Sequence, residues 1–273
     1  MKELFIRALS GTIYALLLIG SLYLQSTLTL LLVLFGILSL LEFSKLIQLK
    51  SYIQYIIFFI FFGAFWYMCI FKDGLNGSEE ATQILLVITI FVNLILIKDL
   101  FTTKSIPLFS SKSYILTTFY LTSGFIFMLL IANYKNEFTP LLLLGGFVLV
   151  WVNDSAAYLV GKNFGKQKLF PRISPKKTVE GFLGGLFFAC VSSYFIALYT
   201  EILDFTTWLI LAIIISVLGT LGDLIESKFK RQAGVKDSGV IMPGHGGLLD
   251  RLDSIIFASP FVYLFLRILS YVS

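Results

Sequence analysis

The sequence predicts an all-α polytopic membrane protein with about nine transmembrane helices. Of its 273 residues, 58% are hydrophobic and only 14% are charged, and the mean hydropathy is +0.91. Soluble domains carry about 25% charged residues, so this composition excludes a soluble domain, and its hydrophobicity excludes a disordered chain. The apolar runs lack the alternation of period two that a membrane β-barrel requires, so each run is predicted to be a helix.

Nine apolar stretches, separated by short polar breaks, are candidates to cross a bilayer, which takes about 20 mostly apolar residues. In chain order, the predicted spans are 8–24, 27–47, 52–71, 82–97, 113–132, 139–160, 179–199, 206–227 and 253–271. The first span follows Lys2 and Arg7, as in a signal peptide, but no small-residue cleavage site follows it. We therefore interpret the first span as a retained helix.

The distribution of basic residues predicts how the spans are oriented. When the connections alternate between two sides, 18 of the 21 Lys and Arg fall on one side, and only Lys72, Lys135 and Arg267 fall on the other. Basic residues accumulate in cytoplasmic loops. We therefore expect the N-terminus and the two long loops, 161–178 and 228–252, in the cytoplasm, the C-terminus outside, and the protein in the inner (plasma) membrane.

The two halves of the chain differ in composition. Residues 1–137 hold about five spans with few ionisable groups and little Gly, and we interpret them as a scaffold. Residues 138–273 contain both long basic loops and most of the Gly, and we predict that they are the catalytic half. Cys69 and Cys190 lie far apart in apolar runs, which favours neither a disulfide framework nor a Cys-based metal site. The net charge of +5 fits basic cytoplasmic loops, and no nucleic-acid partner is expected.

Six carboxylates on four predicted spans lie near one membrane level, at the cytoplasmic ends of those spans. They are Asp154, Glu180, Asp223, Glu226, Asp250 and Asp253. The two pairs on spans 8 and 9 are each three residues apart, which places each pair on one helix face. Ionisable residues in spans are costly and usually mark functional paths, so two such faces predict a metal site.

A second interpretation of the carboxylates is that headgroup water or basic residues of the loops satisfy them at helix ends. Function is the favoured reading for Asp223 and Asp250, while both interpretations stay open for Glu180 and Glu226. Asp154 and Asp253 fall between these two cases. Glu42 stands alone in the second span, and we interpret it as structural.

The first long loop contains Ser174-Pro175-Lys176-Lys177-Thr178 directly before the seventh span. Free backbone N–H groups and the helix dipole at such a position suit a phosphate. Gly181 and Gly185 follow, and they either allow close backbone approach or form a GxxxG helix-packing motif.

The second long loop mixes cations, carboxylates and glycines, as binding of a metal-bound polyphosphate requires. Its candidate residues are Lys230, Arg231, Lys236, Asp237, His245, Gly246, Gly247, Asp250, Arg251 and Asp253. The usual accumulation of basic residues in a cytoplasmic loop would by itself explain the positive charge of this loop. It would not explain why Pro-Gly-His-Gly-Gly stands beside Asp-Arg-x-Asp. His245 is the only His, and a structural role is the commoner one for a lone His.

Ser227 to Asp253 follow the pattern S-x-φ-K-R-x4-K-D-x-G-x2-φ-P-G-H-G-G-φ-x-D-R-φ-D throughout, where φ is apolar. The sequence here resembles the phosphatidate cytidylyltransferase (CDP-diacylglycerol synthase) family. Met242 stands where Leu, Ile or Phe is more usual. The upstream family pattern is matched from Asp154 to Gly185, with Val179 in place of the commoner Trp. The resemblance covers the C-terminal half by motif and the N-terminal half by hydropathy only.

The resemblance implies that CTP and phosphatidate give CDP-diacylglycerol and pyrophosphate at the cytoplasmic membrane face, in phospholipid biosynthesis, with Mg²⁺ and in some members K⁺. It implies Asp223 and Asp250 as metal ligands, supported by Asp154 and Asp253. The expected residues that contact the CTP phosphates and pyrophosphate are Lys176, Lys177, Lys230, Arg231 and Lys236. The other expected catalytic residues are Asp237, His245 and Arg251. The expected substrate-binding residues are Ser174, Pro175, Thr178, Gly246 and Gly247. Phosphatidate should enter laterally near spans 6 to 9, and many members are homodimers.

Three other functions are considered. A CDP-alcohol phosphotransferase would also use metal-bound carboxylates, but its pattern D-G-x2-A-R-x8-G-x3-D-x3-D is not found. An ion-coupled transporter usually has inverted repeats and charges near the midplane, whereas these acids gather at one face. A membrane scaffold without catalytic activity is the third.

Overall fold

The computed structural model describes residues 2–71 and 75–272 and shows an all-α fold with one short hairpin. The helices are α1 (Lys2–Ser21), α2 (Gln25–Leu46), α3 (Ile53–Trp66), α4 (Ser78–Phe101), α5 (Ser110–Leu116), α6 (Ser123–Ile131), α7 (Pro140–Phe164), α8 (Val179–Thr200), α9 (Phe205–Gln232) and α10 (Leu249–Val272). Strands β1 (Lys168–Phe170) and β2 (Ser174–Thr178) pair antiparallel. Lys72 and the side chains of Lys2 and Arg7, used above to predict orientation, lie outside the described residues.

The prediction of a polytopic all-α membrane protein is confirmed. Within the described residues, eight helical segments are long and apolar enough to span a membrane, and the apolar part of α1, Leu9–Ser21, is shorter. The helices differ from the predicted spans mainly at the site: α9 continues to Gln232 instead of ending at 227, and α10 begins at Leu249 instead of 253. Hydropathy marks only the apolar part of a helix, whereas backbone hydrogen bonding continues through polar residues.

Two π-helical turns extend the spans of the N-terminal half. Tyr67–Phe71 continues α3, and Thr117–Thr122 joins α5 to α6 into one long segment, Ser111–Asn136. Of that segment's apolar window, 89% is buried inside the protein, so this helix is the centre of the bundle. The π turn lies at its buried part, where it carries Tyr120, which is 1% exposed.

The two halves of the chain share one apolar core. Phe43 of α2 packs edge-on against Phe229 of α9, with ring centroids 5.2 Å apart, and Tyr120 contacts both rings. Such aromatic pairs contribute about 0.5–1.5 kcal/mol beyond their buried area. The end of α9 that carries Phe229 therefore packs directly on helices of the N-terminal half. The functional division at residue 137 stays a prediction.

The hairpin in the first loop was not predicted. Its register pairs Lys168 with Thr178 and Phe170 with Ser174. Oγ1 of Thr178 accepts a hydrogen bond from the backbone N–H of Gly181 at 3.1 Å and so caps the N-terminus of α8. Because Ser-Pro-Lys-Lys-Thr lacks apolar alternation, its sequence carries no strand signal. The hairpin fixes the loop that carries Lys176 and Lys177 against the start of α8.

Candidate active site

Among the described residues, one group of acidic side chains is placed to hold a metal ion, and it joins α9 to α10. Each of Asp223, Glu226 and Asp253 offers a carboxylate oxygen, and these oxygens lie within 4.8 Å of one another. The helices can approach closely because Gly222 has no side chain: a Cβ there would lie 2.6 Å from Cβ of Phe257. We call these three residues the acid cluster.

Two members of the acid cluster are deeply buried, and one of these two, Glu226, lacks hydrogen bonds. Glu226 is 0% exposed and Asp253 5%. Within the described part of the chain, neither carboxylate oxygen of Glu226 accepts a hydrogen bond, although Nζ of Lys230 forms an ion pair with it. Buried charges need paired or coordinating groups, and hard divalent cations prefer carboxylate oxygens. The donor set and its unpartnered oxygens therefore fit a divalent cation.

Lys177 brings a cation from the first loop to the acid cluster. Its Nζ lies 2.5 Å from Oδ2 of Asp223. Burial lowers the pKa of Lys177, but the charges of Asp223, Asp154 and Asp253 outweigh this effect and raise the pKa above its usual value. Lys177 therefore remains an ammonium ion at neutral pH.

Asp250, expected as a principal metal ligand, has both oxygens engaged. Oδ1 accepts a hydrogen bond from Nζ of Lys230 at 2.6 Å. Oδ2 accepts hydrogen bonds from the backbone N–H and the hydroxyl of Ser238 and from the N–H of Gly247, at 2.9, 3.0 and 2.7 Å. Asp250 thus fastens the second loop to Lys230, which in turn contacts Glu226.

A cavity of about 660 Å³ opens beside the acid cluster and receives residues from both loops. The predicted site residues that line it are Asp154, Lys176, Lys177, Thr178, Asp223, Lys230, Asp237, Asp250, Arg251 and Asp253. The structure therefore brings together most of the predicted site. A second cavity of about 630 Å³ lies around Arg267, at the opposite end of α10, and contains none of the predicted site residues.

The other predicted residues do not line the large cavity. Arg231 donates hydrogen bonds from Nε to the carbonyl of Ile173 at 3.2 Å and from Nη1 to that of Val235 at 3.0 Å, so it ties the hairpin to the second loop. Nδ1 of His245 lies 2.8 Å from Oγ of Ser10 on α1. The remaining members of this group are Ser174, Pro175, Lys236, Gly246 and Gly247.

Two carboxylates have a larger part at the site than their sequence patterns indicated. Glu226 belongs to the acid cluster, and its three-residue spacing from Asp223 was the available signal. Glu42, interpreted as structural, is 1% exposed and accepts a hydrogen bond from the backbone N–H of Leu249 at 2.8 Å. Since 207 residues separate these two partners, no local pattern could have revealed the contact.

Known proteins are similar in sequence to this chain. A family model described as the cytidylyltransferase family matches residues 5–269. Phosphatidate cytidylyltransferase of Bacillus subtilis (strain 168) is 36% identical over 227 residues, which cover 83% of this chain and 81% of that protein. The proteins of the same name from Staphylococcus aureus (strain COL) and Staphylococcus haemolyticus (strain JCSC1435) are each 48% identical over 126 residues. That aligned segment covers 45% of this chain and 48% of each relative.

Proposed function

The chain belongs to the cytidylyltransferase family, and we propose that it is a metal-dependent phosphatidate cytidylyltransferase acting at the cytoplasmic membrane face. The reaction converts CTP and phosphatidate into CDP-diacylglycerol and pyrophosphate. The observation that supports this proposal best is the meeting of the acid cluster with Lys177 and Lys230 in a cavity between membrane helices. Nucleotide phosphates need cations, and the lipid phosphate must reach them from the bilayer.

The substrates themselves supply the nucleophile and the leaving group. An ionised oxygen of phosphatidate attacks the α-phosphorus of CTP, the new P–O bond forms, and the bond to the β-phosphate breaks. Pyrophosphate leaves with the electron pair, and no proton has to be removed from the attacking oxygen. The protein's task is therefore to align the two phosphates and to neutralise the charge between them.

The cavity supplies cations for that task. Lys176 and Arg251 are exposed at its edge, whereas Lys177 and Lys230 lie deeper and are paired with the carboxylates. We propose that these four side chains contact the CTP phosphates and the departing pyrophosphate. Lysine and arginine near transferring phosphoryl groups stabilise the charge that develops in the transition state.

The acid cluster would hold the divalent cation, which we propose to be Mg²⁺, with K⁺ as a second ion. When bound, such a cation neutralises charge on phosphate oxygens. Asp154 and Asp250 line the same cavity, and their part in the ligand set stays a prediction.

The lipid substrate needs an apolar approach to the cavity. Tyr158, Leu169 and Phe182 contribute the apolar part of the cavity lining beside the polar acid cluster. We propose that the phosphatidate headgroup enters here while its acyl chains remain in the leaflet. The homodimer expected from the resemblance is likewise a proposal, tested by the mass of the purified protein in detergent.

The decisive test is pyrophosphate release by the purified protein from CTP, with phosphatidate in mixed micelles and Mg²⁺. We expect release only when phosphatidate is present, loss of release in EDTA, and CDP-diacylglycerol in the lipid extract. The Asp223→Asn variant should lose activity, while the matched variant Glu80→Gln, at an exposed carboxylate away from the cavity, should keep it.

Other outcomes of the same assays would identify the other functions. Formation of CMP from CDP-diacylglycerol and an alcohol, without pyrophosphate release from CTP, would indicate a CDP-alcohol phosphotransferase. Solute flux into liposomes without CTP turnover would indicate a transporter. Neither result is compatible with the proposed function.

A further inference from the structure

Glu42 is a buried carboxylate from the N-terminal half that reaches the second loop. Its Oε2 accepts a hydrogen bond from the backbone N–H of Leu249 at 2.8 Å and lies 3.3 Å from Oγ of Ser238. Leu249 is the first residue of α10, so Glu42 satisfies a backbone donor at the start of that helix. Ser238 lies in the loop that connects α9 to α10.

The loop is shaped around this carboxylate. A Cβ added to Gly239 would lie 2.1 Å from Oε1 of Glu42, and one added to Gly247 would lie 2.7 Å from Oε2. Glu42 therefore excludes a side chain at Gly239, whereas at Gly247 Oγ of Ser238, 2.0 Å from such a Cβ, excludes one together with Glu42. One glycine of the sequence motif, Gly239, is therefore explained by a residue nearly 200 positions upstream, on α2.

Ser238 connects Glu42 to the candidate active site. Its hydroxyl lies 3.0 Å from Oδ2 of Asp250, which also accepts the N–H groups of Ser238 and Gly247. The other oxygen of Asp250 holds Nζ of Lys230, the cation that contacts the acid cluster. A continuous series of polar contacts therefore runs from Glu42 through Ser238, Asp250 and Lys230 to Glu226.

We infer that Glu42 is a positioning residue for cytidylyl transfer, an inference that rests on the proposed function. Glu42 does not line the cavity and touches no reacting group. It holds Ser238 and the first turn of α10, and these contacts set the position of Asp250 and, through it, of Lys230. The N-terminal half thus contributes to catalysis by fixing the second loop.

The test compares three substitutions of Glu42 that separate hydrogen-bond geometry from charge. Glu42→Gln keeps the side-chain length and an acceptor for the Leu249 N–H but removes the negative charge. Glu42→Asp keeps the charge but has a shorter side chain. Glu42→Ala removes both the acceptor and the charge. If positioning is the role, kcat for pyrophosphate release decreases in the order Gln, Asp, Ala. Small misplacements at an active site cost up to about 100-fold, so we expect a loss of that order for Glu42→Ala, with the KM for phosphatidate little changed.

The variant Glu80→Ala is the matched control, because Glu80 is an exposed carboxylate at the other end of the bundle, and it should retain full activity. Folded protein is quantified by thermal unfolding, and kcat is expressed per folded molecule. A residue that serves only folding would leave that kcat unchanged, and an electrostatic role would place Asp above Gln. Either result would overturn the inference.

A compensating pair provides a second test that does not depend on how well one variant folds. Gly239→Ala should lower kcat strongly because its Cβ meets the carboxylate, and adding Glu42→Ala should relieve that clash. We therefore expect the two changes to be less than additive, and strict additivity would contradict the contact. Absence of pyrophosphate release by the unmodified protein would refute the proposed function, whereas full activity of Glu42→Ala would refute only this inference.

Discussion

Nζ of Lys177, on the hairpin of the first loop, lies 2.5 Å from Oδ2 of Asp223 on α9. This ion pair connects the loop before α8 to the acid cluster, although 46 positions separate the two residues in the chain. The first loop therefore meets the acid cluster through one pair of opposite charges. The pairing of the hairpin strands and the Thr178 cap at the start of α8 hold the Lys177 side chain in place.

Replacing Lys177 by Met should lower kcat/KM for pyrophosphate release by about 100- to 1,000-fold, because it removes a fixed charge that, in the proposed function, faces the transferring phosphates. Lys177→Arg should recover part of this loss, since the charge remains while its shape changes. Steady-state assays with varied CTP would measure both effects. Lys104→Met is the control, because Lys104 is exposed and outside the cavity. Equal activity of Lys177→Met and the control would contradict a role for Lys177.

Glu226→Gln should abolish stabilisation by Mg²⁺ without lowering stability in EDTA. Neither oxygen of Glu226 accepts a hydrogen bond in the described structure, and an incompletely compensated buried charge is costly. The melting temperature in EDTA should therefore stay the same or rise, while stabilisation by added Mg²⁺ is lost. Differential scanning fluorimetry measures both quantities without an activity assay. Undiminished stabilisation by Mg²⁺ would exclude Glu226 from the ligand set.

Replacement of Asp204 should lower the stability of the protein and leave catalysis unchanged. Its side chain accepts hydrogen bonds from the Thr207 hydroxyl and from the Thr206 N–H, the latter at 3.1 Å, and so caps α9 at the end remote from the acid cluster. The bond from Thr207 is the main cause that lowers the pKa of Asp204. Loss of an N-cap costs about 1 kcal/mol, so Asp204→Ala should lower the melting temperature at neutral pH with kcat unchanged.

The sign of the pH dependence at Asp204 follows from its lowered pKa. Its ionised form adds stability above the usual Asp pKa, near 4, and this contribution is lost as the pH falls through the lower pKa of the folded state. The difference in melting temperature between the unmodified protein and Asp204→Asn should therefore shrink on acidification below about pH 4. A difference that is constant with pH would show that the charge contributes nothing to the cap.

Orientation is testable with single cysteines. Val240 is 90% exposed in the second loop, and Glu137 is exposed in the connection before α7. After Cys69 and Cys190 are replaced by Ser, Val240→Cys should be inaccessible to an impermeant thiol reagent in intact cells and accessible in inverted vesicles. Glu137→Cys should show the reverse. The same pattern for both positions would contradict the cytoplasmic assignment of the second loop.

The amino-acid sequence by itself determined the membrane class and the approximate spans. These properties depend on local hydropathy and on residue spacing along single helices, which a linear pattern contains. Asp223 and Glu226 share a helix face for this reason. The motif from Ser227 to Asp253 likewise identified the family, because its polar residues occur at set intervals in one continuous segment.

Only the tertiary structure decided which acids meet and what holds them. Asp253 joins Asp223 and Glu226 because the absent side chain at Gly222 lets α10 approach α9. Glu42 enters the second loop from α2 because folding places these distant segments side by side. Contacts of this kind depend on the packing of several helices at once, and no interval along the chain encodes them.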